Sequence, residues 1–195
     1  MQTFVMDTIA KSPFSPSKKT TELIIYISSK LKNKAHYDSV LLAKALFLID
    51  YMSYVKNRKS ITDFKYVKKE HGPTPDPAQF LPTRKLLVAN GDLQKKKANH
   101  FGRTQFEYIA SREPDIKVFE KDEIILINDT IENISNQKGA EIMDARQSIA
   151  WIVANYNEEM PLYSFLLTSK KPEAHDYEWA AKAVKNYEAS VKNAS

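Results

Sequence analysis

Ser60–Leu93, SITDFKYVKKEHGPTPDPAQFLPTRKLLVANGDL, holds most of the unusual punctuation of this 195-residue chain. Two of the four glycines, Gly72 and Gly91, lie in it, and Pro73, Pro75, Pro77 and Pro82 crowd its middle. A Gly-Pro step followed by prolines at alternate positions predicts an extended, turn-rich loop, because each residue before a proline is pushed out of the α region. Such a loop is stiff and poor in hydrogen bonds, and it costs stability unless it shapes something. Asp76-Pro77 then reads as a helix start, an Asp cap with Pro at the first helical position. Asn90-Gly91 reads as its stop. Pro82 inside that helix predicts a kink or a later start.

Upstream, residues 1–19 read as a loose lead-in. Thr20 or Thr21 is a candidate cap for a helix to about Asn33, with Ile24, Ile27 and Leu31 at helical spacing. Asp38 or Ser39 caps a second helix, from Val40 to about Tyr54. That helix is apolar almost all round, with Lys44 and Asp50 as its only charges, which predicts the buried centre of the fold. Residues 56–60 read as a polar linker. Downstream, Leu93–Lys96 and Arg103–Ile109 read as strands joined by a turn at Asn99-His100-Phe101-Gly102. A helix from about Glu120 to Asn136 carries an Ile124, Ile127, Ile131 and Ile134 stripe and ends before Gly139. Another, 140–155, is expected to bury Ile142, Ala145, Ile149 and Ile152 or Val153. Pro161 breaks the chain before a short apolar segment, 162–167. A last amphipathic helix spans about Glu173–Lys192, with Tyr177, Ala180, Ala181, Val184, Tyr187 and Val191 on one face.

The expected class is mostly α (α+β): a compact helical domain with one small, wing-like antiparallel β-hairpin and an added C-terminal helix. Hydrophobic content of 43% and charge of 27% are ordinary for a globular protein. With no cysteine, disulfides, zinc–cysteine sites and thiol nucleophiles are excluded, and a reducing cytoplasm fits. The N-terminal stretch lacks a basic n-region, so no signal peptide is expected. The longest apolar run, Val40–Ile49, is broken by Lys44 and falls short of the roughly 20 residues that span a bilayer; no membrane partner is expected. Charge is uneven: residues 1–106 are strongly basic, 107–160 are acidic, and the total is +5. The two regions either face different partners or face each other. There is no Gly-x-Ser-x-Gly elbow and no Gly-rich phosphate loop. His36, His71, His100 and His175 lack metal-ligand spacing. No catalysis, cofactor or metal is therefore expected.

An ordered set of features resembles the Panacea domain, the SocA-like antitoxin domain. Val40–Asp50 (VLLAKALFLID) is similar to the family's leucine-lysine-leucine helix ending near Asp. Ile61-Thr62, Tyr66 and Gly72-Pro73 are similar to its "IT…Y…GP" core. Asn90-Gly91-Asp92-Leu93 resembles its entry to a hairpin, and the 120–136 helix its acidic helix. Trp151 followed by Met160-Pro161-Leu162-Tyr163 resembles its closing "W…IPY" segment. The resemblance covers roughly 20–167, leaving 1–19 as lead-in and 168–195 as an added helical extension. Many members have a serine-histidine pair shortly before the tryptophan; here the neighbourhood reads Met143-Asp144-Ala145-Arg146.

The resemblance implies an antitoxin that neutralises a cognate protein toxin by direct contact, without catalysis of its own. Some toxins paired with such domains act on translation, including alarmone-synthetase-like enzymes that modify tRNA. The expected contact surface is the Gly-Pro loop with the 93–109 hairpin tip: Tyr66, His71, Gly72, Pro73, Pro75, His100 and Phe101. A rigid loop loses little entropy on binding, and an aromatic at a turn tip makes an interface anchor. Each has a plainer reading: His71 as a cap, Gly72-Pro73 as a corner the fold requires, Trp151 as core. The rival function is a winged-helix-like DNA-binding regulator. In it, 77–90 is the recognition helix, with Arg84 and Lys85, and Lys95, Lys96 and Lys97 on the wing touch phosphate. Those lysines equally protect a strand edge. Operator DNA is thus a second candidate partner, and the C-terminal helix is a candidate for self-association.

Overall fold

The computed structural model describes residues 14–34, 37–100, 103–136 and 148–167, and Ala174, Glu178, Ala181, Lys182, Val184 and Lys185; side chains are described at all of these except Asn99, His100, Arg103 and Asn136. The chain folds in the order α1 (Lys18–Leu31), α2 (Ser39–Asn57), β1 (Tyr66–Lys69), β2 (Gly72–Pro75), α3 (Pro77–Ala89), β3 (Leu93–His100), β4 (Arg103–Ala110), α4 (Lys121–Asn136) and α5 (Ile149–Val153), with short 3-10 turns at Ile116–Val118 and Leu162–Leu166. It is mostly helical, with two small antiparallel sheets where the sequence predicted one hairpin.

α2 is the centre. Asp38 caps it, its Oδ1 accepting from the N–H groups of Val40 and Leu41 at 2.8 Å each, which satisfies two of the orphan donors of the first turn. Leu42, Leu46 and Ile49 have no solvent exposure, and the helix packs against α1, α4, β2 and the Leu162–Leu166 turn. It runs past the predicted end at Tyr54. Arg58 closes it in the left-handed region (φ 56), donating its N–H to the Tyr54 carbonyl at 2.9 Å. No glycine marks that stop, so the sequence placed it early.

α1 begins at Lys18 rather than after Thr20. Ser17 is the cap, its Oγ accepting from Thr20 N at 3.2 Å. Asp63 fixes the same turn, its Oδ2 accepting from Ser17 N at 2.8 Å and from Thr20 Oγ1 at 3.0 Å. A partner this distant in sequence is invisible to local capping rules. α1 buries Leu23, Ile24, Ile27 and Leu31 completely.

The Gly-Pro segment is not a hydrogen-bond-poor loop. It is β2, paired with β1 in the register Tyr66↔Pro75, Val67↔Thr74, Lys68↔Pro73 and Lys69↔Gly72. The other edge of β1 takes the 157–160 stretch: Lys68 N donates to the Glu158 carbonyl at 3.0 Å, Asn157 N to the Lys68 carbonyl at 3.0 Å, and Met160 N to the Tyr66 carbonyl at 2.7 Å. The backbone polar groups of Tyr66 and Lys68 therefore point away from β2. The residues opposite them, Pro75 and Pro73, lose no ladder bond by lacking an N–H. Gly72 supplies a positive φ of 109 beside the hairpin turn at Glu70-His71, a conformation open to glycine.

α3 starts at Pro77 under the Asp76 cap, whose Oδ1 accepts from Ala78 N at 2.9 Å, and continues through Pro82. Gly91 (φ 78) follows its end. β3 and β4 pair residue for residue from Leu93↔Ala110 to His100↔Arg103, longer than the predicted strands. α4 buries Ile127, Ile131 and Ile134 as its stripe predicted.

The predicted 140–155 helix is corrected where it is described. Ser148 is extended (ψ 147) and caps the five-residue α5, its Oγ accepting from Trp151 N at 3.2 Å. Ala150 is buried there, while Ile152 and Val153 are exposed. Gly139, Ile142 and Ala145 lie outside the described residues. Of the predicted C-terminal helix, the described residues from Ala174 to Lys185 are helical and exposed; Tyr177, Ala180, Tyr187 and Val191 lie outside them.

The basic front and acidic middle face each other in several places. Lys18 pairs with Asp115 at 2.6 Å, Lys19 with Glu123 at 2.7 Å and Lys65 with Glu159 at 2.8 Å.

Candidate functional site

Asp50 and Lys44, the two charges in the apolar stretch of α2, lie six residues apart and do different things. Asp50 is fully buried. Its Oδ1 accepts from the N–H groups of Ile61 and Thr62 at 2.8 and 2.9 Å, and its Oδ2 accepts from the Tyr66 hydroxyl at 2.6 Å and from Thr62 Oγ1. Burial pushes the carboxyl above its ordinary pKa, and these four donors offset part of the rise. Burial, and then the neighbouring Asp50 charge, hold the Tyr66 phenol well above its usual value. One carboxyl thus ties α2 to the 61–66 segment that leads into β1. Tyr66 is 2% exposed and belongs to this interior network; the sequence placed it on an outer contact surface.

A cleft of about 290 Å³ lies between the N-terminal half of α2, the tip of the β1–β2 hairpin and α3. Val40, Ala43, Pro75, Pro77, Phe80 and Leu81 make its apolar walls. Lys44, Lys69, Glu70, His71, Arg84 and Tyr156 supply its polar lining. Lys69 is held in place: its Nζ donates to Asn157 Oδ1 and lies 5.1 Å from the Tyr156 ring centroid. The adjacent Lys68 stacks on the other aromatic of the closing segment, its Nζ 4.1 Å above the Trp151 ring and donating to the Ala154 carbonyl at 2.8 Å. Trp151 is therefore half core and half cation platform.

The expected contact residues separate into layers. His71 is exposed at the hairpin tip and lines the cleft; Pro75 lines it from a buried position; Gly72 and Pro73 are buried in β2. His100 closes the other hairpin opposite Arg103 with its side chain outside the described set, and Phe101 lies outside the described residues altogether.

The nucleic-acid candidates divide too. Arg84 is 9% exposed, its guanidinium 4.1 Å from the Phe80 ring centroid and 4.7 Å from that of Tyr108; it is not offered to a duplex. Thr83 is 1% exposed, and Gln79 Oε1 accepts from Lys65 N at 2.7 Å. Of Gln79, Thr83, Arg84 and Lys85 on α3, Lys85 alone is exposed. Lys95, Lys96 and Lys97 are exposed along β3, with Lys95 Nζ 3.8 Å above the Phe106 ring. Among the described residues no group of His, Asp and Glu is arranged to hold a metal, and no helix is long and apolar enough to cross a membrane.

Sequence reasoning missed Lys44, Leu81 and Tyr156 as site residues. A signal existed for Lys44, since a cation in an otherwise apolar helix has to reach an opening. Leu81 and Tyr156 carry no local mark.

The Asp50–Thr62–Tyr66 network joins two pieces of the sequence pattern, the apolar helix α2 and the Ile61-Thr62 to Tyr66 stretch. The family model described as antitoxin SocA-like, Panacea domain, matches residues 42–152. No curated protein and no solved structure matches the chain. That span runs from the core of α2 through both hairpins to Trp151, more than half of the sequence, and the chain belongs to the SocA-like antitoxin Panacea domain family.

Proposed function

We propose that this chain is the antitoxin of a toxin–antitoxin pair and neutralises a cognate protein toxin by binding it directly in the cytoplasm. Membership of the SocA-like antitoxin family carries this reading. The geometry that supports it is the open cleft beside the hairpin tip. A pinned hairpin presents His71, and the rims carry Leu81 (48% exposed) and Tyr156 (64% exposed). Apolar and aromatic groups on rigid elements are what a protein interface uses as anchors. A toxin acting on translation suits a family whose partners include such enzymes, and no reaction is assigned to this chain.

Co-expression with the product of the adjacent gene tests the reading. Toxicity that this chain relieves, together with copurification of the two proteins, is the expected result. A neighbour that is harmless, or toxic but neither relieved nor bound, overturns it. Operator binding is the second reading, favoured by the exposed Lys95-Lys96-Lys97 run on β3 and opposed by the burial of Thr83 and Arg84 on α3.

A further inference from the structure

Among the described residues Arg84 is a buried cation without an acid. It is 9% exposed, and among those residues its Nε has no hydrogen-bond partner and its guanidinium makes no ion pair. Two aromatic rings hold the guanidinium in place, 4.1 and 4.7 Å from its central carbon. Burial lowers its pKa, with Tyr108 and Tyr37 acting against that; an arginine stays charged regardless. A guanidinium removed from water with no counter-charge is costly. Lys44, half-buried on the same cleft, also makes no ion pair or hydrogen bond among the described residues. Among the described residues Glu70 is the one carboxylate in the lining, and it is exposed at the hairpin tip.

We propose that the cleft between α2, the β1–β2 hairpin and α3 receives an acidic side chain from a protein partner, its carboxylate held between Arg84 and Lys44. This rests on the neutralisation reading and names the chemistry of the toxin segment that would dock there: a glutamate or aspartate flanked by an apolar residue. The flank follows from the walls. Val40, Ala43, Phe80 and Leu81 offer apolar surface that a free phosphate would leave wet. The planar fork of Arg84, already immobilised by Phe80 and Tyr108, suits a carboxylate approached in plane, and little side-chain entropy remains to be lost.

The test uses the full ¹⁵N-labelled chain and no toxin. The Arg84 Nε–Hε and Lys44 signals are followed at constant ionic strength during titration with acetyl-Leu-Glu-Leu-amide, with acetyl-Leu-Gln-Leu-amide, and with inorganic phosphate. The glutamate peptide is expected to shift both signals and to saturate at a concentration about tenfold below that of the glutamine peptide. Lys44→Gln, which removes a half-exposed cation and leaves the core intact, is expected to weaken the glutamate peptide about tenfold and to leave the glutamine peptide unchanged. Equal responses to the two peptides, no response to either, or an unaffected Lys44→Gln overturn the proposal. Phosphate shifting Arg84 while the glutamate peptide is silent overturns the protein source in favour of a free oxyanion. Peptide binding with no relief of toxicity would leave the acid-binding cleft standing and remove the antitoxin reading; relief without peptide binding would do the reverse.

Discussion

The hydroxyl of Tyr66 on β1 donates a 2.6 Å hydrogen bond to the carboxyl of Asp50 at the heart of α2. The bond crosses from the central helix to the hairpin that carries His71, and it lies in an interior closed to water. The same carboxyl accepts from two backbone N–H groups, so the course of 61–66 over α2 is held by one side chain.

Asp50→Leu should destabilise the fold by about 2–4 kcal/mol, because it leaves the buried Ile61 and Thr62 N–H groups unpaired. Asp50→Asn keeps an acceptor for both and should cost about 1 kcal/mol. The two also differ in pH response. Folding raises the Asp50 pKa, burial being the largest cause. The folded state therefore favours the protonated acid, and this contribution is full below the ordinary carboxylate range. It is lost as pH rises through that range toward the raised value. The native chain should thus lose stability relative to Asp50→Asn as pH climbs from about 4 toward neutrality. Thermal melts of the two proteins across that range check it; a constant difference would mean that Asp50 is not titrating as its burial requires.

Arg112 sets the opposite sign. Its guanidinium grips Glu22 with two bonds, 2.9 and 2.8 Å, and reaches Asp92 at 2.5 Å. Glu22 also accepts from Asp115 N at 2.8 Å. Burial alone would raise the Glu22 pKa, but the Arg112 bonds and the Asp115 N–H outweigh it and hold the carboxyl below its ordinary value. Stability from this site is present above the ordinary glutamate range and lost as pH falls through the lowered value. Arg112→Ala should cost about 2 kcal/mol at neutral pH, less than a fully buried pair, because the Arg112 side chain is 40% exposed. Urea melts should show the deficit shrinking toward acid; a deficit independent of pH would remove the charge argument.

The helices were legible because their signals are local. The Asp38 and Asp76 caps, the isoleucine stripe of α4 and the Asn90-Gly91 stop all act within a turn or two. The Gly-Pro segment was misread because its meaning is not local. Pro73 and Pro75 stand two apart, which is the strand period, and a strand bonded along one edge tolerates prolines at that spacing. What makes it a strand is the pairing of β1 with 157–160 on its far side, some ninety residues on. The site was half legible for a related reason. The motif residues Asp50, Thr62 and Tyr66 do meet, but as interior support. Lys44, Leu81 and Tyr156, which line the opening, share a surface through tertiary packing alone. Arg84 looked like a DNA contact in sequence because nothing there shows the Phe80 and Tyr108 rings closing over it.

If the β3 lysines bind duplex at all, they should bind it as a lysine patch does. Affinity at low salt should be weak and independent of sequence, and Lys95→Gln, Lys96→Gln and Lys97→Gln together should flatten the salt dependence by about 2–3 log units of affinity per log unit of salt. Filter binding with random and operator-region duplexes at several salt concentrations measures this. One preferred sequence that survives physiological salt would restore the regulator reading.

Leu81→Glu is the sharpest test of the cleft as the toxin-facing surface. Leu81 is 48% exposed on the cleft wall formed by α3, one turn from Lys85 and three residues before Arg84. A carboxylate introduced there lies within the lining that carries Arg84 and Lys44. It would occupy those cations from within the chain and repel an incoming acid. The fold should not suffer, since an exposed leucine is replaced and a buried cation with no ion pair among the described residues gains a neighbour of opposite charge. Neutralisation should weaken at least about tenfold, read as the antitoxin induction needed to restore growth, with the melting temperature unchanged or raised. Ile125→Glu, at a 57% exposed position on α4 away from the cleft, should neutralise normally and controls for added negative charge. Equal neutralisation by both variants would place the toxin contact elsewhere on the molecule.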